Sequence, residues 1–318
     1  MNKLILCAAA GAAALTANAA LAEDVNVAFF LEWATPNQIA KVEKTYDDAM
    51  GVDVNWTDFA TGVGMSEAML AGDIDISYSQ GLAPFVTAVQ QGAPLKMVAI
   101  AVAYEANDCF VNDSLGINSD NASELEGTTI AVPLNTMADY SFRLQMAALG
   151  VDLDALTIVD QAPADGAVSL ADGSVSMACI FGGASAKAAG EVGTPMMSSQ
   201  QKLDAGISSF DVVSVTESFA TEHPELLKAF LEVTEESNAA WATDMSGIDI
   251  IAADAGMDVD TTTAQMAGFV FPTVAEQLST YFNEGGIATQ AAASLGLVFS
   301  DESDAAKLAA TIDGSFLE

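Results

Sequence analysis

The chain alternates between short apolar runs and longer stretches in which apolar residues recur at helical spacing. The runs have the length of buried strands and lie at 25–31, 52–56, 74–78, 96–103, 109–111, 128–133, 156–159, 177–181 and 210–215. The longer stretches predict helices at 36–50, 64–71, 136–149, 163–171 and 224–240. Alternating strands and helices are typical of mostly parallel sheets covered by helices on both faces. The pattern therefore predicts an α/β fold.

A weak internal repeat divides these elements into two groups. The segments "AMLAGDIDISYSQG" at 68–81 and "VSLADGSVSMACIFGG" at 168–183 each contain a helix end, a glycine turn and a short buried strand. One copy in each half predicts two similar α/β lobes, with chance as the alternative because such turns commonly contain glycine. From about residue 217 the pattern becomes largely helical.

The first 22 residues predict a secretory signal peptide. This segment has a positive charge at Lys3 and an apolar stretch, and it ends in Ala20-Leu21-Ala22, a cleavage pattern of small residues before Glu23. The alternative is a membrane helix, but the segment is short and rich in alanine for that role. We therefore expect an exported product.

The charge of the chain is strongly negative. It has 44 acidic and 9 basic residues, a net charge of −35, with Arg143 as its single arginine and His223 as its single histidine. Such a surface repels nucleic acid and anionic lipid, so we expect neither as a partner. Solubility explains the charge, and a specific attraction for cations is the alternative.

Two cysteines, Cys109 and Cys179, remain after the predicted signal peptide. In an oxidising compartment such a pair is a disulfide candidate, and two buried thiols are the alternative. With one histidine and no cluster of ligand spacing, we expect no metal site and no cofactor.

Three predicted strand-to-helix turns are similar and lie at 32–36, 78–84 and 133–140. In the first, Thr35 would cap a helix that begins at Pro36. In the third, Thr136 and Asp139 have capping-box spacing. Each turn presents backbone N–H groups and the positive end of a helix dipole, which can hold a small anion such as a sulfonate. Ligands of open α/β sheets bind at this edge.

Carboxylates and aromatic rings lie beside these turns. A carboxylate faced by rings suits an ammonium group, so acids and anion-holding turns together predict a zwitterion pocket. Asp211 opens the apolar strand "FDVVSVT", and a buried carboxylate needs a partner. For Trp33 and Phe181 core packing is the alternative, and for Asp139 it is helix capping. The candidates are Glu32, Trp33, Tyr78, Asp108, Asp139, Tyr140, Phe181 and Asp211.

Motifs of catalysis are missing from the sequence. It has no G-x-S-x-G nucleophile elbow and no phosphate loop ending in Gly-Lys-Ser/Thr. The only candidate general base of the histidine type is His223, whose position before Pro224 at a helix start predicts a structural role. A binding protein is therefore favoured over an enzyme.

At this point the residues resemble a known family. The resemblance lies in "VNVAFFLEWATPNQIAKVEKTYDDAM", "AMLAGDIDISYSQGLAPFVTAVQQGAPLKMVAI", "LEGTTIAVPLNTMADYSFRLQMAALGV" and "FDVVSVTESFATEHPELLKAFLEVT". These segments look like those of periplasmic substrate-binding proteins of ABC importers, in the taurine, alkanesulfonate and nitrate group, and most like the taurine-binding proteins. The resemblance covers about residues 23 to 285.

The resemblance implies a type II two-lobe periplasmic-binding-protein fold that closes over one small molecule. The two hinge crossings would lie near 103–108 and 212–217. Lobe one would comprise 23–105 and the largely helical 215–318, and lobe two 106–214. It further implies a monomer in the periplasm that delivers its ligand to an ABC permease in the inner membrane.

The resemblance also implies roles in binding taurine or a related organosulfonate. Asp211 would take the amine, and Glu32 and Trp33 would form a cleft wall. The residues that would hold the sulfonate are Ser79, Gln80, Asn135, Thr136 and Tyr140. The chain departs from several relatives at Thr57, where they carry a basic residue. The alternatives are a receptor for another small zwitterion or cation, such as a betaine-like amine, and an enzyme resembling thiamin-pyrimidine synthases.

Overall fold

The computed structural model describes residues 24–105, 107–300 and 302–318, so the predicted signal peptide lies outside the described residues. A first sheet has six strands, in the order β11-β4-β10-β3-β1-β2. Its strands are β1 (Val25–Phe30), β2 (Val54–Phe59), β3 (Ile76–Gly81), β4 (Leu95–Glu105), β10 (Ser208–Thr216) and β11 (Phe269–Val270). Strand β1 pairs in parallel with β2 and β3, whereas β10 runs antiparallel between β3 and β4.

A second sheet is built from the chain segment between β4 and β10. Its five strands have the order β7-β6-β8-β5-β9, with β5 antiparallel to both of its neighbours. The strands are β5 (Asp108–Asn112), β6 (Thr129–Val132), β7 (Thr157–Asp160), β8 (Met177–Ile180) and β9 (Gly193–Pro195). We call the first sheet with its helices the first unit, and residues 107–207 the second unit.

Helices cover both sheets. In the first unit the helices before the second sheet are α1 (Asn37–Val42), α2 (Thr45–Met50), α3 (Gly62–Ala71) and α4 (Leu82–Gln90). The second unit contains α5 (Met137–Leu149), α6 (Pro163–Asp172), α7 (Gly183–Gly190) and α8 (Ser199–Asp204). The C-terminal part contains α9 (Glu217–Glu222), α10 (Pro224–Trp241), α11 (Ile248–Ala255), α12 (Val259–Met266), α13 (Val274–Glu276), a π-helical segment (Gln277–Tyr281), α14 (Ile287–Phe299) and α15 (Ala305–Ala310).

The apolar runs of the sequence lie on both faces of each sheet. In the first unit, Phe85 of α4 packs in the core on one face, and Tyr46 and Phe230 stack 4.8 Å apart on the other. In the second unit, Phe142 of α5 and Leu170 of α6 belong to cores on opposite faces. Burial on both faces is why these strands read as continuous apolar runs.

The internal repeat corresponds to the same structural unit in each sheet. Helix α3 ends at Gly72 and leads to β3, and helix α6 ends at Gly173 and leads to β8. Both glycines have left-handed backbone conformations, φ +83° and φ +78°, which glycine adopts without strain at a helix end. The predicted α/β fold is confirmed, with sheets that are mixed rather than wholly parallel.

Two boundaries differ from those predicted. The helix expected at 36–50 is broken into α1 and α2, because Lys44 between them has a left-handed φ of +61°. The return crossing does not lie at 212–217, since Ser208 already pairs with Glu105 across the first sheet. The apolar pattern at 210–215 did not reveal the two polar residues with which β10 begins.

A disulfide joins Cys109 of β5 to Cys179 of β8, so of the two alternatives for these cysteines the structure has the bonded pair. The two residues are direct neighbours in the antiparallel pair of strands. Separately, among the residues described, no helix is long and apolar enough to span a membrane.

Candidate functional site

A small cavity lies between the two units. The first unit contributes Asp211 of β10 and the turn at Gly81, and the second contributes Thr136 and Met137 at the start of α5. The volume is about 20 Å³, which is room for one group the size of a water molecule. The complete lining consists of Phe30, Trp33, Gly62, Gly81, Pro84, Tyr104, Asn107, Thr136, Met137, Phe181 and Asp211. We call it the inner cavity.

The carboxylate of Asp211 is the charged group of the inner cavity. It is buried, and it accepts hydrogen bonds from the Ser79 hydroxyl (3.1 Å) and the Tyr104 hydroxyl (2.8 Å). Burial raises the pKa of Asp211 to about 7, although the two hydrogen bonds act in the opposite direction. Within the described part of the chain, Asp211 takes part in no ion pair. The carboxylate is thus held by neutral donors alone.

The strand pairing positions Asp211 at the cavity. On β10, Asp211 lies opposite Gly81 of β3 and Val102 of β4, and the register on the β4 side shifts immediately after it. A Cβ atom at Gly81 would lie 2.9 Å from Cγ of Met137 and 3.6 Å from an oxygen of Asp211. Glycine at this position therefore permits the close approach of the two units.

Aromatic rings surround the carboxylate. The indole N–H of Trp33 donates to the Ser79 hydroxyl at 2.9 Å, which links Trp33 to Asp211 through one residue. The Trp33 and Tyr104 rings meet edge to face at 5.1 Å, and Phe30 lies 5.8 Å from Phe181 across the units. Carboxylate and rings together attract an ammonium group.

The start of α5 forms the opposite wall. Thr136 caps the helix, as predicted, with its hydroxyl accepting from the N–H groups of Ala138 and Asp139. The Asp139 carboxylate accepts from the N–H of Asn135, one residue before the position that a capping box requires, and from Arg143 at 2.8 Å. Burial raises the pKa of Asp139. The single arginine is thus bonded to a helix-capping acid.

The N-terminus of α4 faces a thioether. The N–H of Ala83 donates to the sulfur of Met137 at 3.2 Å, across the boundary between the units. This helix start belongs to the 78–84 turn, for which the sequence predicted anion binding. In the present conformation Met137 occupies that position.

Several predicted site residues lie away from the inner cavity. Gln80 donates to the carbonyl of Gly62 and to Ser66 inside the first unit, and its amide oxygen accepts from Ser214. Asn135 is exposed. Tyr140 lines a different cavity, of about 460 Å³. The structure therefore does not bring these three side chains to Asp211.

Asp108 lines a larger cleft that adjoins the inner cavity and has a volume of about 580 Å³. Its carboxylate forms an ion pair of 2.6 Å with buried Lys202, which also pairs with Glu105 at 2.8 Å. The residues that line both spaces are Trp33, Tyr104, Asn107 and Phe181. A ligand with its head in the inner cavity would extend into this cleft.

Glu32 links the two units directly. Its carboxylate accepts from the N–H (2.8 Å) and the hydroxyl (2.7 Å) of Ser185, in the first turn of α7. Its carbonyl accepts from the N–H of Gly183 at 2.9 Å. A carboxylate at a helix N-terminus is stabilised by the dipole and the unpaired N–H groups. Glu32 therefore caps a helix of the opposite unit, and we call this contact the Glu32 clasp.

The residues of the inner cavity that sequence reasoning missed include Tyr104, Asn107 and Met137. Tyr104 and Asn107 lie in the predicted crossing 103–108. Their location in that crossing was the only feature of the sequence that could have indicated a role in the site. Met137 stands between two site candidates, Thr136 and Asp139, but apolar residues of a helix give no signal of a binding role.

Comparisons with known proteins agree with this architecture. The chain is 27% identical over 219 residues to a taurine-binding periplasmic protein of Escherichia coli (strain K12), covering 69% of this chain and 67% of the relative. The alkanesulfonate-binding protein SsuA from Xanthomonas axonopodis pv. citri has a similar structure, with a TM-score of 0.73, 17% identity and coverage of 91% and 97% of the two chains. The periplasmic aliphatic sulphonate binding protein SsuA from Escherichia coli gives a TM-score of 0.69 at 16% identity, covering 93% and 99%.

The two mixed sheets with surrounding helices thus have the two-lobe fold of periplasmic binding proteins. The model of one family, described as "NMT1/THI5 like", matches residues 37–244 of this chain. The matched region includes β10 and most of the residues around the inner cavity. The chain belongs to the NMT1/THI5-like family.

Proposed function

We propose that the protein is an extracytoplasmic solute receptor that binds taurine or a related small organosulfonate carrying an amine. One observation carries the proposal: the buried Asp211 carboxylate, surrounded by aromatic rings, faces a cavity between two lobes and has only neutral donors as partners. An ammonium group supplies the compensating charge that a buried carboxylate needs. Similarity to proteins that bind taurine and sulfonates supports the same ligand class.

The ligand would enter when the two units separate. The inner cavity holds one water-sized group, so the ammonium end fits it and the remainder lies towards the larger cleft. Closing the units around the ligand removes water and strengthens each polar contact. The ligand then shifts the equilibrium towards the closed form, the surface of which is presented to an ABC permease in the inner membrane. We propose this role for a monomer in the periplasm.

A receptor for another small zwitterion or cation is the second candidate. It is favoured by Met137, because the thioether occupies the helix start that would hold an anion. It is favoured as well by Arg143, the guanidinium of which bonds to Asp139 and does not line the inner cavity.

An enzyme is the less supported class. The only histidine, His223, lies at the junction of α9 and α10 with its ring 5.4 Å from Phe219. It lines neither the inner cavity nor the larger cleft. The taurine-binding relative and the two SsuA structures described above are binding proteins by name.

Titration calorimetry tests the proposal. The protein, without its first 22 residues, is titrated with taurine, an alkanesulfonate lacking the amine, nitrate and glycine betaine. We expect heat with taurine and weaker binding of the alkanesulfonate, because that compound leaves Asp211 unpaired. Betaine binding with no response to any sulfonate would favour the second candidate. No heat with any of the sulfonates overturns the proposed ligand.

A further inference from the structure

Asn107 has a buried side-chain oxygen without a hydrogen-bond partner. The residue is 8% exposed, and no described residue donates to its Oδ1. A buried carbonyl left unpaired costs free energy, so an orphaned acceptor of this kind in a binding cleft indicates a ligand donor.

The backbone of Asn107 is held firmly in place. Its carbonyl accepts from the Ser141 hydroxyl at 2.9 Å and from the Gln145 amide at 3.1 Å, both on α5. The residue therefore belongs to the second unit, although it directly follows the first crossing. Its position is fixed by the helix that also supplies Met137.

Asn107 and Asp211 line the same inner cavity from opposite units. The other polar groups near the carboxylate are already used as donors, since Ser79 and Tyr104 both donate to Asp211. Burial raises the pKa of Tyr104 well above its ordinary value, so the hydroxyl keeps its proton and remains a donor. Of the fully buried side-chain nitrogen and oxygen atoms on the described residues that line the cavity, Oδ1 of Asn107 is the one without a partner, and it is an acceptor.

We propose that Oδ1 of Asn107 accepts an N–H of the ligand, so that the receptor selects a primary ammonium over an N-methylated one. The inference rests on the proposed function and names the amine class that the site takes. A primary ammonium has three N–H donors and can bond Asp211 and Asn107 together. A trimethylammonium has none, leaves Asn107 unpaired and is too large for a cavity of about 20 Å³.

The receptor can discriminate between these amines because leaving a buried polar group unpaired costs more free energy than losing an apolar contact. A site built to hydrogen-bond an N–H rejects an analogue that lacks it far more strongly than an apolar pocket rejects a missing methylene. We expect the affinity to fall by about tenfold or more from taurine to its N,N,N-trimethyl analogue, with N-methyltaurine between them.

The test compares taurine, N-methyltaurine and N,N,N-trimethyltaurine by calorimetry on the wild type and on Asn107→Leu, which has a similar shape and no acceptor. The variant is expected to bind taurine about tenfold or more weakly while its affinity for the trimethyl analogue is unchanged or higher. Asn55→Leu, at an exposed position on β2, is the matched control and should behave as wild type. Asn107→Ala replaces the leucine variant if that one does not fold.

The outcomes separate the two proposals. If the wild type binds taurine and the folded Asn107 variant keeps the wild-type ratio of taurine to trimethyl affinity, the proposed role of Asn107 is wrong and the receptor function stands. Equal affinity of the wild type for all three amines also overturns the inference. If the wild type binds no sulfonate, the proposed function itself fails.

Discussion

At the scale of single residues, Asp211 has the environment that best explains binding. A carboxylate transferred from water into an apolar site loses hydration, and two hydroxyl donors replace only part of it. The remaining cost keeps the pKa of Asp211 near 7. A bound ammonium would compensate for the lost hydration of the carboxylate. This gain in electrostatic free energy would favour binding of the ligand.

This environment predicts that affinity depends on pH. An ammonium pairs with the ionised carboxylate, so below pH 7 binding must first remove a proton from Asp211, and affinity should fall by up to about tenfold per pH unit. Asp211→Asn should lose this dependence and weaken taurine at pH 8 by about 1.5–3 kcal/mol. Calorimetry from pH 5.5 to 8.5 measures both effects.

Glu235→Gln provides the control for that experiment. The pKa of Glu235 is also raised to about 7 by burial, but its carboxylate bonds to Gln277 and does not line the inner cavity. The variant should keep the wild-type dependence of affinity on pH. A wild type that binds taurine equally well at pH 5.5 and 8.5 would show that Asp211 does not pair with the amine.

The stability of the ligand-free protein should fall as pH rises, whereas the affinity for taurine should rise. Asp211 holds its proton up to about pH 7 when folded, but only to about pH 4 when unfolded. Between these values the folded state binds more protons, so the free energy of unfolding falls as pH rises. Asp211→Asn should therefore be more stable than wild type at pH 8, by up to about 4 kcal/mol, and lose that advantage at pH 4.5. Urea unfolding at the two pH values checks this, and an equal difference at both would contradict it.

The residues differ in how far the sequence could reveal them. Asp211 was recognisable because a carboxylate that opens an apolar strand is conspicuous. Asn107 was not, since a buried amide with one orphaned oxygen looks in sequence like any loop asparagine. The position of Gln80 in a turn suggested ligand binding. Its side chain instead forms hydrogen bonds within its own unit.

At the scale of elements, hydrophobic patterning predicted the central strands and the long helices. The pattern was least informative where an element is short. It was equally uninformative where the backbone conformation, and not the side chains, determines where an element ends. Strands β9 and β11 have three and two residues, too few for a period to be detected. The break at Lys44 depends on a left-handed residue that carries no apolar signal.

At the scale of elements, we predict that the disulfide between Cys109 and Cys179 stabilises the folded protein. It joins β5 to β8 in the second sheet, and the two cysteines are 70 positions apart in sequence. Closing a loop of that length restricts the unfolded chain, and the chain-entropy estimate is about 4 kcal/mol, with 2–4 kcal/mol typical. Urea unfolding with and without dithiothreitol should show this loss in the wild type.

A matched variant controls for other effects of the reductant. Cys109→Ala combined with Cys179→Ala should unfold at lower urea than the oxidised wild type and show no response to dithiothreitol. If oxidised and reduced wild type unfold at the same urea concentration, the bond contributes nothing to stability.

At the scale of the whole molecule, direct contacts hold the two units together. The Glu32 clasp joins β1 to α7, and an exposed ion pair of 2.9 Å joins Lys187 of α7 to Asp258 before α12. The clasp is half-buried and uses a helix N-terminus. It should therefore contribute more than the exposed ion pair to the free energy that holds the two units together. These contacts between the units act in addition to any that a ligand makes with both of them.

Glu32 had been predicted to line the ligand cleft, and the clasp leads to a different expectation. Glu32→Ala removes two charge-assisted hydrogen bonds that exist only in the closed form, which should lower the ratio of closed to open molecules by about tenfold or more. The ligand-free variant should have a larger radius of gyration in small-angle scattering, and taurine should dissociate faster in stopped-flow measurements. Ser185→Ala, which keeps the backbone N–H, should show a smaller effect of the same kind, and Glu43→Ala, at an exposed position on the same unit, none. A loss of affinity in Glu32→Ala with wild-type scattering and no effect of Ser185→Ala would instead assign Glu32 to the ligand.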